Sequence, residues 1–193
     1  MIEYEKRAMI EAEDKYTFRQ STQSSMQTGL IGRDLAEPYD ALVLPGGEST
    51  VQGKLLKELS MFDTIKSQIQ NGMPVLATCA GAILLAETID GQMKGQPEQY
   101  FGTIPMCIKR NAYGRQLGSF HTEASVVGIG TVPMTFIRAP YIASVGNGVE
   151  VLAVVEERIV GVKYKNQMAF SFHPELDPDM RIHKTFLSMI SNV

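Results

Sequence analysis

The sequence predicts an α/β fold, a three-layer sandwich around a mixed, mostly parallel β-sheet. Two short apolar runs, residues 41–44 and 75–78, have the character of buried strands, and each precedes a segment with helical spacing. Strands and helices that alternate with short loops are typical of βαβ units, whose strands lie parallel. The length of 193 residues fits one domain with a sizeable core, so we expect a single domain over residues 1–193.

The elements are predicted from the period of the apolar residues and from Gly, Pro and Asn at the breaks. Helices are predicted at 2–14, 49–70, 80–88 and 178–191. Strands are predicted at 15–19, 41–44, 75–78, 103–109, 119–127, 134–138, 150–155, 158–164 and 167–172, with a hairpin around Glu156-Glu157. Small polar residues at 20–30 indicate a loop. The second half is richer in strands, which makes the sheet mixed.

Composition excludes several classes of protein. Lys and Arg number 18 and Asp and Glu number 21, so the net charge is −3 and nucleic acid is not the expected partner. No apolar run approaches the ~18–20 residues of a membrane-spanning helix, and the charged N-terminus is not a secretory signal. Two cysteines, Cys79 and Cys107, provide no disulfide framework. We therefore expect no membrane association and a reduced, cytoplasmic setting.

Cys79 lies where the predicted strand 75–78 meets the helix at 80–88. Such a turn pushes its side chain out at the carboxyl edge of the sheet, where α/β proteins hold their sites. The helix N-terminus favours a thiolate and offers backbone N–H groups to an anion. The small residues Ala77, Ala80 and Gly81 permit crowding at this turn. The alternative is a small core residue, since free cysteines are usually buried.

His173 follows the predicted strand 167–172 and stands before Pro174 and Glu175. Proline biases His173 toward an extended conformation, in which positions two apart point the same way. Glu175 can then bind one ring nitrogen and leave the other facing a cleft, as the third member of a triad does. The alternative is a surface histidine with a chance acidic neighbour.

Paired glycines follow the strand at 41–44, in the segment LPGGES at 44–49. Glycines let backbone N–H groups turn into a cleft, which suits an oxyanion hole, although Gly-rich turns are common. Ser49 is also a plausible helix N-cap. The three motifs each fall at the carboxyl end of a predicted strand. A thiolate, a His–Glu base and backbone donors together indicate an acyl-transfer site.

The motifs PGGES, TCAG and SFHPE, in this order, resemble those of class I, triad-type glutamine amidotransferases. RNAYGRQ at 110–116, SF at 119–120 and FIRAP at 136–140 resemble the family of glutaminase subunits of pyridoxal 5′-phosphate synthase. The resemblance covers about residues 39–191. It implies a class I glutamine amidotransferase-like (flavodoxin-like) fold. It also implies a glutaminase that converts L-glutamine to L-glutamate and supplies ammonia for vitamin B6 synthesis.

The resemblance also implies roles for individual residues. Cys79 would attack the glutamine side-chain amide, His173 would act as base and then acid, and Glu175 would orient His173. The oxyanion would be held by backbone N–H groups of Gly47 and Ala80. Substrate contacts are implied for Gly47, Glu48, Ser49, Arg110, Ile137 and Arg138.

The resemblance implies a partner and no cofactor. Ammonia would pass to a separate (β/α)8-barrel synthase that makes pyridoxal 5′-phosphate, and this subunit would need no metal. We expect the synthase to raise turnover by ordering the backbone at Gly46 and Gly47.

Two departures from the family pattern are present. Ala77 stands where the family usually has Gly, two residues before the nucleophile. The family opens with a strand and a loop resembling LALQGAF, whereas this chain begins MIEYEK, which resembles the helix that follows that loop. The first strand is therefore expected to be missing from an N-terminally shortened domain. A mis-assigned start or truncation, a substitute strand around 15–19, and a degraded paralogue are the competing explanations.

Three other functions are also compatible with the sequence. A glutaminase subunit of another ammonia-using synthase, such as the imidazole glycerol phosphate synthase type, would share the triad but not the stretches at 110–116 and 136–140. A non-catalytic or truncated regulatory subunit would bind the synthase without chemistry. A thiol protease or esterase would use the same triad, but no peptide-groove signature is evident.

Overall fold

The computed structural model describes residues 18–20, 40–91, 100–110 and 119–190, and for residues 18–20 it describes the backbone alone. The predicted helix at 2–14 and nearly all of the predicted loop at 20–30 lie outside these ranges. Residues 111–116 of the RNAYGRQ stretch also lie outside them. Every residue that the sequence predicts for the site is described.

Strands dominate the described part of the chain. The strands are β1 Phe18–Gln20, β2 Ala41–Leu44, β3 Val75–Thr78, β4 Ala86–Ile89, β5 Ile104–Lys109, β6 Ser119–Val126, β7 Gly130–Ile137, β8 Tyr141–Val145, β9 Glu150–Val155, β10 Arg158–Tyr164 and β11 Gln167–Phe170. The helices are α1 Ser49–Glu58, α2 Phe62–Gln70, α3 Ala80–Leu85 and α4 Arg181–Ile190, and Pro174–Leu176 is a 3-10 turn. None of the helices in these ranges is both long enough and apolar enough to cross a membrane.

The sheet is mixed and curled, as the sequence predicts. β1, β2, β3 and β11 are successive parallel neighbours. β11 pairs with β10, and β10 with β8 and β9, all antiparallel. β5 joins β8 antiparallel and β4 parallel, while the hairpin β6–β7 attaches through β9. The carboxyl ends of β2, β3 and β11 therefore meet at one edge of the sheet.

Helices cover both faces of this sheet. Successive side chains of a strand point to opposite faces. In β2, Leu42 and Leu44 pack into a core cluster with α1, α2 and α3. Ala41 and Val43 pack into a second cluster with α4 and the hairpin β6–β7. This alternation explains why β2 is apolar throughout, and it gives the three-layer arrangement that the sequence predicts.

The predicted helix at 49–70 is wrong in one respect, because it is two helices. α1 ends at Glu58 and α2 begins at Phe62. Between them Ser60 has φ 57°, and the N–H of Met61 donates to the carbonyl of Leu56 at 2.8 Å. A left-handed residue commonly ends a helix in this way. The apolar period continues across the break because both helices cover the same face of the sheet.

Three further strands depart clearly from the sequence prediction. The predicted helix at 80–88 ends at Leu85, since Ala86–Ile89 forms β4 and pairs with β5. β8 was not predicted and is held by β5 and β10. β7 begins at Gly130, before the predicted start at residue 134, and it contains Pro133. Proline is tolerated where a strand has a free edge. Among the described strands β7 pairs with β6 alone.

The strand predicted at 15–19 is found at Phe18–Gln20, where Phe18 lies opposite Ala41 of β2. Residues 15–17 lie outside the described ranges. A parallel segment therefore lies beside β2, as one of the sequence-based explanations expects.

Candidate active site

Cys79 occupies a strained turn between β3 and α3. Its φ of 48° and ψ of −104° are unusual for a residue with a side chain, and such strain costs on the order of 1–3 kcal/mol. The N–H of Cys79 donates to the carbonyl of Phe170 at 2.8 Å, which anchors the turn to β11. A methyl group on Gly81 would lie 2.0 Å from the carbonyl oxygen of Leu44, so β2 and α3 touch backbone to backbone. This close approach confirms the crowding that the small residues at the turn predict.

Ala77, the departure from the family pattern, fits within the sheet. It is fully buried and lies opposite Leu44 of β2 and Ala169 of β11. Its methyl group contributes to the core cluster on the α1–α3 face. The extra methyl group is therefore accommodated by packing on that face of β3.

His173 and Glu175 form the predicted pair directly after β11. The Nδ1 atom of His173 lies 2.7 Å from Oε1 of Glu175. Glu175 is only 5% exposed and belongs to the 3-10 turn Pro174–Leu176. The carboxylate binds Nδ1 and leaves the other ring nitrogen free to face Cys79, as the spacing of two residues predicts.

The turn that carries this pair is tied to the hairpin β6–β7. The N–H of His173 donates to the carbonyl of Thr135 at 2.8 Å. The hydroxyl of Thr135 donates to Asp177 at 3.0 Å, and Nε2 of His121, the cross-strand neighbour of Thr135, lies 3.2 Å from the same carboxylate. Sequence reasoning missed Thr135 and Asp177, since nothing in their local pattern signals a contact 42 residues away.

The pKa of His173 is set by opposing effects. Burial lowers it, but hydrogen bonds to Cys79 and Glu175 and the charges of both groups raise the pKa to about 10. His173 is therefore an imidazolium at neutral pH. An imidazolium beside the candidate nucleophile can donate its proton to a leaving group, as acyl transfer requires.

This raised pKa predicts how stability depends on pH. His173 binds its proton more tightly in the folded state, with a pKa of about 10, than in the unfolded state, near 6.5. Its stabilising contribution is therefore complete below about pH 6.5 and is lost as the pH rises toward 10. Glu175→Gln removes the carboxylate charge, so the excess stability of the wild type over this variant should shrink across that window. Denaturant unfolding at about pH 6 and about pH 9.5 measures it; a difference that stays constant or grows contradicts the pairing.

The predicted residues converge on one cavity of about 370 Å³. Every predicted site residue except Glu175, which lies behind His173, lines it: Gly47, Glu48, Ser49, Cys79, Ala80, Arg110, Ile137, Arg138 and His173. Ile83 and Pro140 also line the cavity, and neither is among the predicted site residues, although Pro140 ends the FIRAP stretch. The Sγ atom of Cys79 lies 4.0 Å from the carbonyl oxygen of Ile137. The volume suits a small molecule.

The glycine loop packs directly against the imidazole. A methyl group on Gly46 would lie 2.3 Å from Cε1 of His173, so only a glycine fits there. Gly47 has φ 142°, a region that favours glycine. The loop after β2 and the turn after β11 therefore meet across the end of β3.

Arg110 is fixed at the cavity by three hydroxyl groups. One guanidinium nitrogen, Nη2, donates to Ser49 at 3.1 Å, to Thr50 at 3.2 Å and to the hydroxyl of Tyr100. The guanidinium carbon also lies 5.4 Å from the centre of the Tyr100 ring. The expected N-cap role of Ser49 is wrong, because Glu48 is the N-cap and its carboxylate accepts from the N–H of Thr50 at 3.3 Å. Ser49 instead holds a cation at the cavity wall.

Comparisons with known proteins agree with this fold. A crystal structure of a glutamine amidotransferase superposes with a TM-score of 0.75 at 40% identity, over 80% of this chain and 81% of that chain. Fold and site thus define a glutamine amidotransferase of the class I type. The model of the SNO glutamine amidotransferase family matches residues 14–192, and the chain belongs to that family.

Two relatives carry the same printed name, pyridoxal 5′-phosphate synthase subunit PdxT. The protein from Desulfitobacterium hafniense (strain Y51) is 59% identical over 161 residues, 83% of this chain and 79% of the relative. The protein from Streptococcus pneumoniae serotype 2 (strain D39 / NCTC 7466) is 54% identical over 148 residues, 77% of this chain and 75% of the relative.

Proposed function

We propose that this chain is the glutaminase subunit of a pyridoxal 5′-phosphate synthase. It hydrolyses L-glutamine to L-glutamate and ammonia, and the ammonia serves vitamin B6 synthesis. The observation that carries the proposal is the cavity in which Cys79 at a strained turn meets a His173–Glu175 pair 2.7 Å apart. Membership of the SNO glutamine amidotransferase family and the names of the relatives support the substrate and the pathway.

The residues at the cavity can perform both halves of the hydrolysis. The sulfur of Cys79 attacks the side-chain amide carbon of glutamine, and the carbonyl oxygen becomes an oxyanion. The C–N bond then breaks, the nitrogen takes a proton from the His173 imidazolium, and ammonia leaves a γ-glutamyl thioester. Water attacks the thioester while His173 accepts its proton, and glutamate leaves as the sulfur is released. Glu175 holds the ring orientation throughout.

Binding of the substrate falls to the walls of the cavity. Arg110, fixed by its hydroxyl partners, supplies a planar cation for the α-carboxylate of glutamine. The backbone N–H groups of Gly47 and Ala80 are the proposed donors to the oxyanion. Glu48, Ile137 and Arg138 complete the proposed contacts with the substrate.

The proposed partner of this chain is a second subunit of the synthase. The names of the relatives describe subunits of a synthase, so a second subunit consumes the ammonia. We propose that this second subunit is a (β/α)8 barrel and that the complex is cytoplasmic. The barrel follows from the sequence resemblance, and the cytoplasmic setting follows from two cysteines that provide no disulfide framework.

Release of glutamate and ammonia from glutamine, with and without the synthase subunit, tests the proposed function. We expect equal amounts of the two products and no glutaminase activity toward D-glutamine. A chain that binds the synthase but releases neither product would instead be the non-catalytic, regulatory subunit. Transfer of the glutamine nitrogen into pyridoxal 5′-phosphate in the complex distinguishes this synthase from another ammonia user.

Arg110→Lys is expected to raise the KM for glutamine about tenfold and to change kcat less than about threefold. Lysine keeps the charge but loses the planar fork that grips a carboxylate through two hydrogen bonds. Initial rates as a function of glutamine concentration measure both constants. Lys109→Arg is the matched control, because Lys109 is half exposed and pairs with Asp90 away from the cavity. An unchanged KM in Arg110→Lys would remove Arg110 from the binding site.

A further inference from the structure

The turn that carries His173 and Glu175 is held at both ends by one residue of the hairpin β6–β7. At the start of the turn the N–H of His173 donates to the carbonyl of Thr135 at 2.8 Å. At its far end Oδ2 of Asp177 accepts from the hydroxyl of Thr135 at 3.0 Å. Glu175 lies between these two anchors, so the segment that orients the imidazole is closed into a loop on Thr135.

The carboxylate of Asp177 has a strong reason to stay on the hairpin. Asp177 is only 7% exposed, and its other oxygen, Oδ1, lies 3.2 Å from Nε2 of His121. A carboxylate can only accept, so His121 is the donor in this contact. A buried carboxylate is costly without donors, and hydrogen bonds to a charged group are stronger than neutral ones. Movement of Asp177 away from the hairpin would lose both bonds at once.

The hairpin is a firm base for these contacts. His121 and Thr135 are cross-strand neighbours, so their side chains lie on the same face of the hairpin. On the other face Phe136 packs on Phe120 and on Phe172, with ring centres 4.4 Å and 5.7 Å apart. Phe172 directly precedes His173, so packing fixes the chain up to the residue where the turn begins.

The turn has little internal support of its own. The N–H of Leu176 donates to the carbonyl of His173 at 3.2 Å, and the N–H of Asp177 donates to that of Pro174 at 3.3 Å. These distances are at the long end for such bonds, and the hydrogen bonds of a 3-10 turn have poor geometry. Pro174 has no N–H group with which to anchor the chain. The bonds to Thr135 are therefore the stronger constraint on the turn.

The segment that follows the turn is attached to the hairpin separately. Arg181 donates to the carbonyls of Ile129 and Thr131, and it pairs with Asp179. Loss of the bond between Thr135 and Asp177 should therefore leave α4 in place. Variants at these two residues are expected to fold.

We propose that Asp177, held by Thr135 and His121, is a positioning residue that keeps the His173 imidazole and the Glu175 carboxylate aligned toward Cys79. The proposal rests on the proposed glutaminase function and adds a cause for the geometry of the His173–Glu175 pair. Its expected signature is a loss of kcat with little change in KM, because the cavity walls that contact glutamine belong to other segments.

Thr135→Val and Thr135→Ser test the proposal in the complex with the synthase subunit. Valine has the shape of threonine but no hydroxyl, and we expect kcat for glutamine to fall about tenfold and KM to change less than about twofold. Serine keeps the hydroxyl, so Thr135→Ser should stay within about twofold of the wild type in both constants. Thr131→Val is the matched control on β7, because Thr131 contacts Arg181 through its carbonyl group, which valine retains.

Asp177→Ala removes both bonds to the hairpin and should lower kcat at least as far as Thr135→Val. Adding Thr135→Val to Asp177→Ala should change kcat by less than about twofold, since both changes break the same contact. Asp179→Asn is the control for a general weakening of contacts near the hairpin, because its carboxylate binds Arg181 and not the turn. It should keep the kcat of the wild type.

Four results would overturn the role of Asp177 and leave the proposed function intact. They are a Thr135→Val variant with the kcat of the wild type, a Thr135→Ser variant as slow as Thr135→Val, additive losses in the double variant, and an Asp179→Asn variant as slow as Asp177→Ala. A wild type that releases no glutamate with or without the synthase subunit would instead overturn the proposed function.

Discussion

Cys79→Ala should lower kcat for glutamine by at least about 10⁴-fold while the protein remains folded. Removing the nucleophile of a triad leaves only the catalysis provided by binding and the oxyanion hole. The fold should survive because alanine is smaller than cysteine and Cys79, at 8% exposure, lies at the cavity wall rather than in the core clusters. Glutamate release and circular dichroism measure the two effects.

Cys107→Ala is the matched control for this result. Cys107 is half-buried in β5, where it lies opposite Ser144 of β8 and outside the cavity. Its loss should leave kcat unchanged. Residual activity of Cys79→Ala within about tenfold of the wild type would show that another group is the nucleophile.

Gly46→Ala should abolish turnover by displacing His173. The added methyl group would lie 2.3 Å from Cε1 of the imidazole, closer than any real contact, and 3.1 Å from Nδ1, which binds Glu175. Either the ring leaves its position beside Cys79 or the loop moves out of the cavity wall. We expect a loss of kcat of at least about 10³-fold, because a triad tolerates little displacement.

Gly91→Ala controls for the general cost of adding a methyl group to a glycine. It has φ 80°, and no atom of the described residues lies within 4 Å of the added group, so it is subject to backbone strain without a clash among them. Its stability should fall by about 1–2 kcal/mol and its kcat should stay normal. A Gly46→Ala variant with normal kcat would place the imidazole elsewhere during catalysis.

The parallel half of the fold could be predicted because its signals are local. β2 and β3 are short apolar runs stopped by Pro45-Gly46 and by Cys79, and their burial on both faces is typical of parallel strands. The break at Ser60 and the strand β4 could not be predicted. Ser60 is a common residue in an unusual conformation, and β4 becomes a strand only because β5 lies beside it.

The residues of the candidate site also divide into those that the sequence could predict and those that it could not. Cys79, His173 and Glu175 carry recognisable chemistry at strand ends. The structure brings Cys79 and His173 to one cavity, with Glu175 bound to His173 behind it. Tyr100 and the Thr135–Asp177 contact were missed, since nothing in their local sequence signals the residues that they contact. Sequence identifies reacting groups more readily than the residues that position them, because positioning depends on packing.

Capture of the γ-glutamyl thioester on Cys79 tests the assigned chemistry most directly. The chain is mixed with glutamine and its synthase partner, quenched in acid during turnover, digested and analysed by mass spectrometry. The result expected is a peptide containing Cys79 that is heavier by one γ-glutamyl group and loses that mass on treatment with hydroxylamine. Steady release of glutamate with no acyl group on Cys79, under conditions that slow hydrolysis of a thioester, would contradict the assignment of Cys79 as the nucleophile.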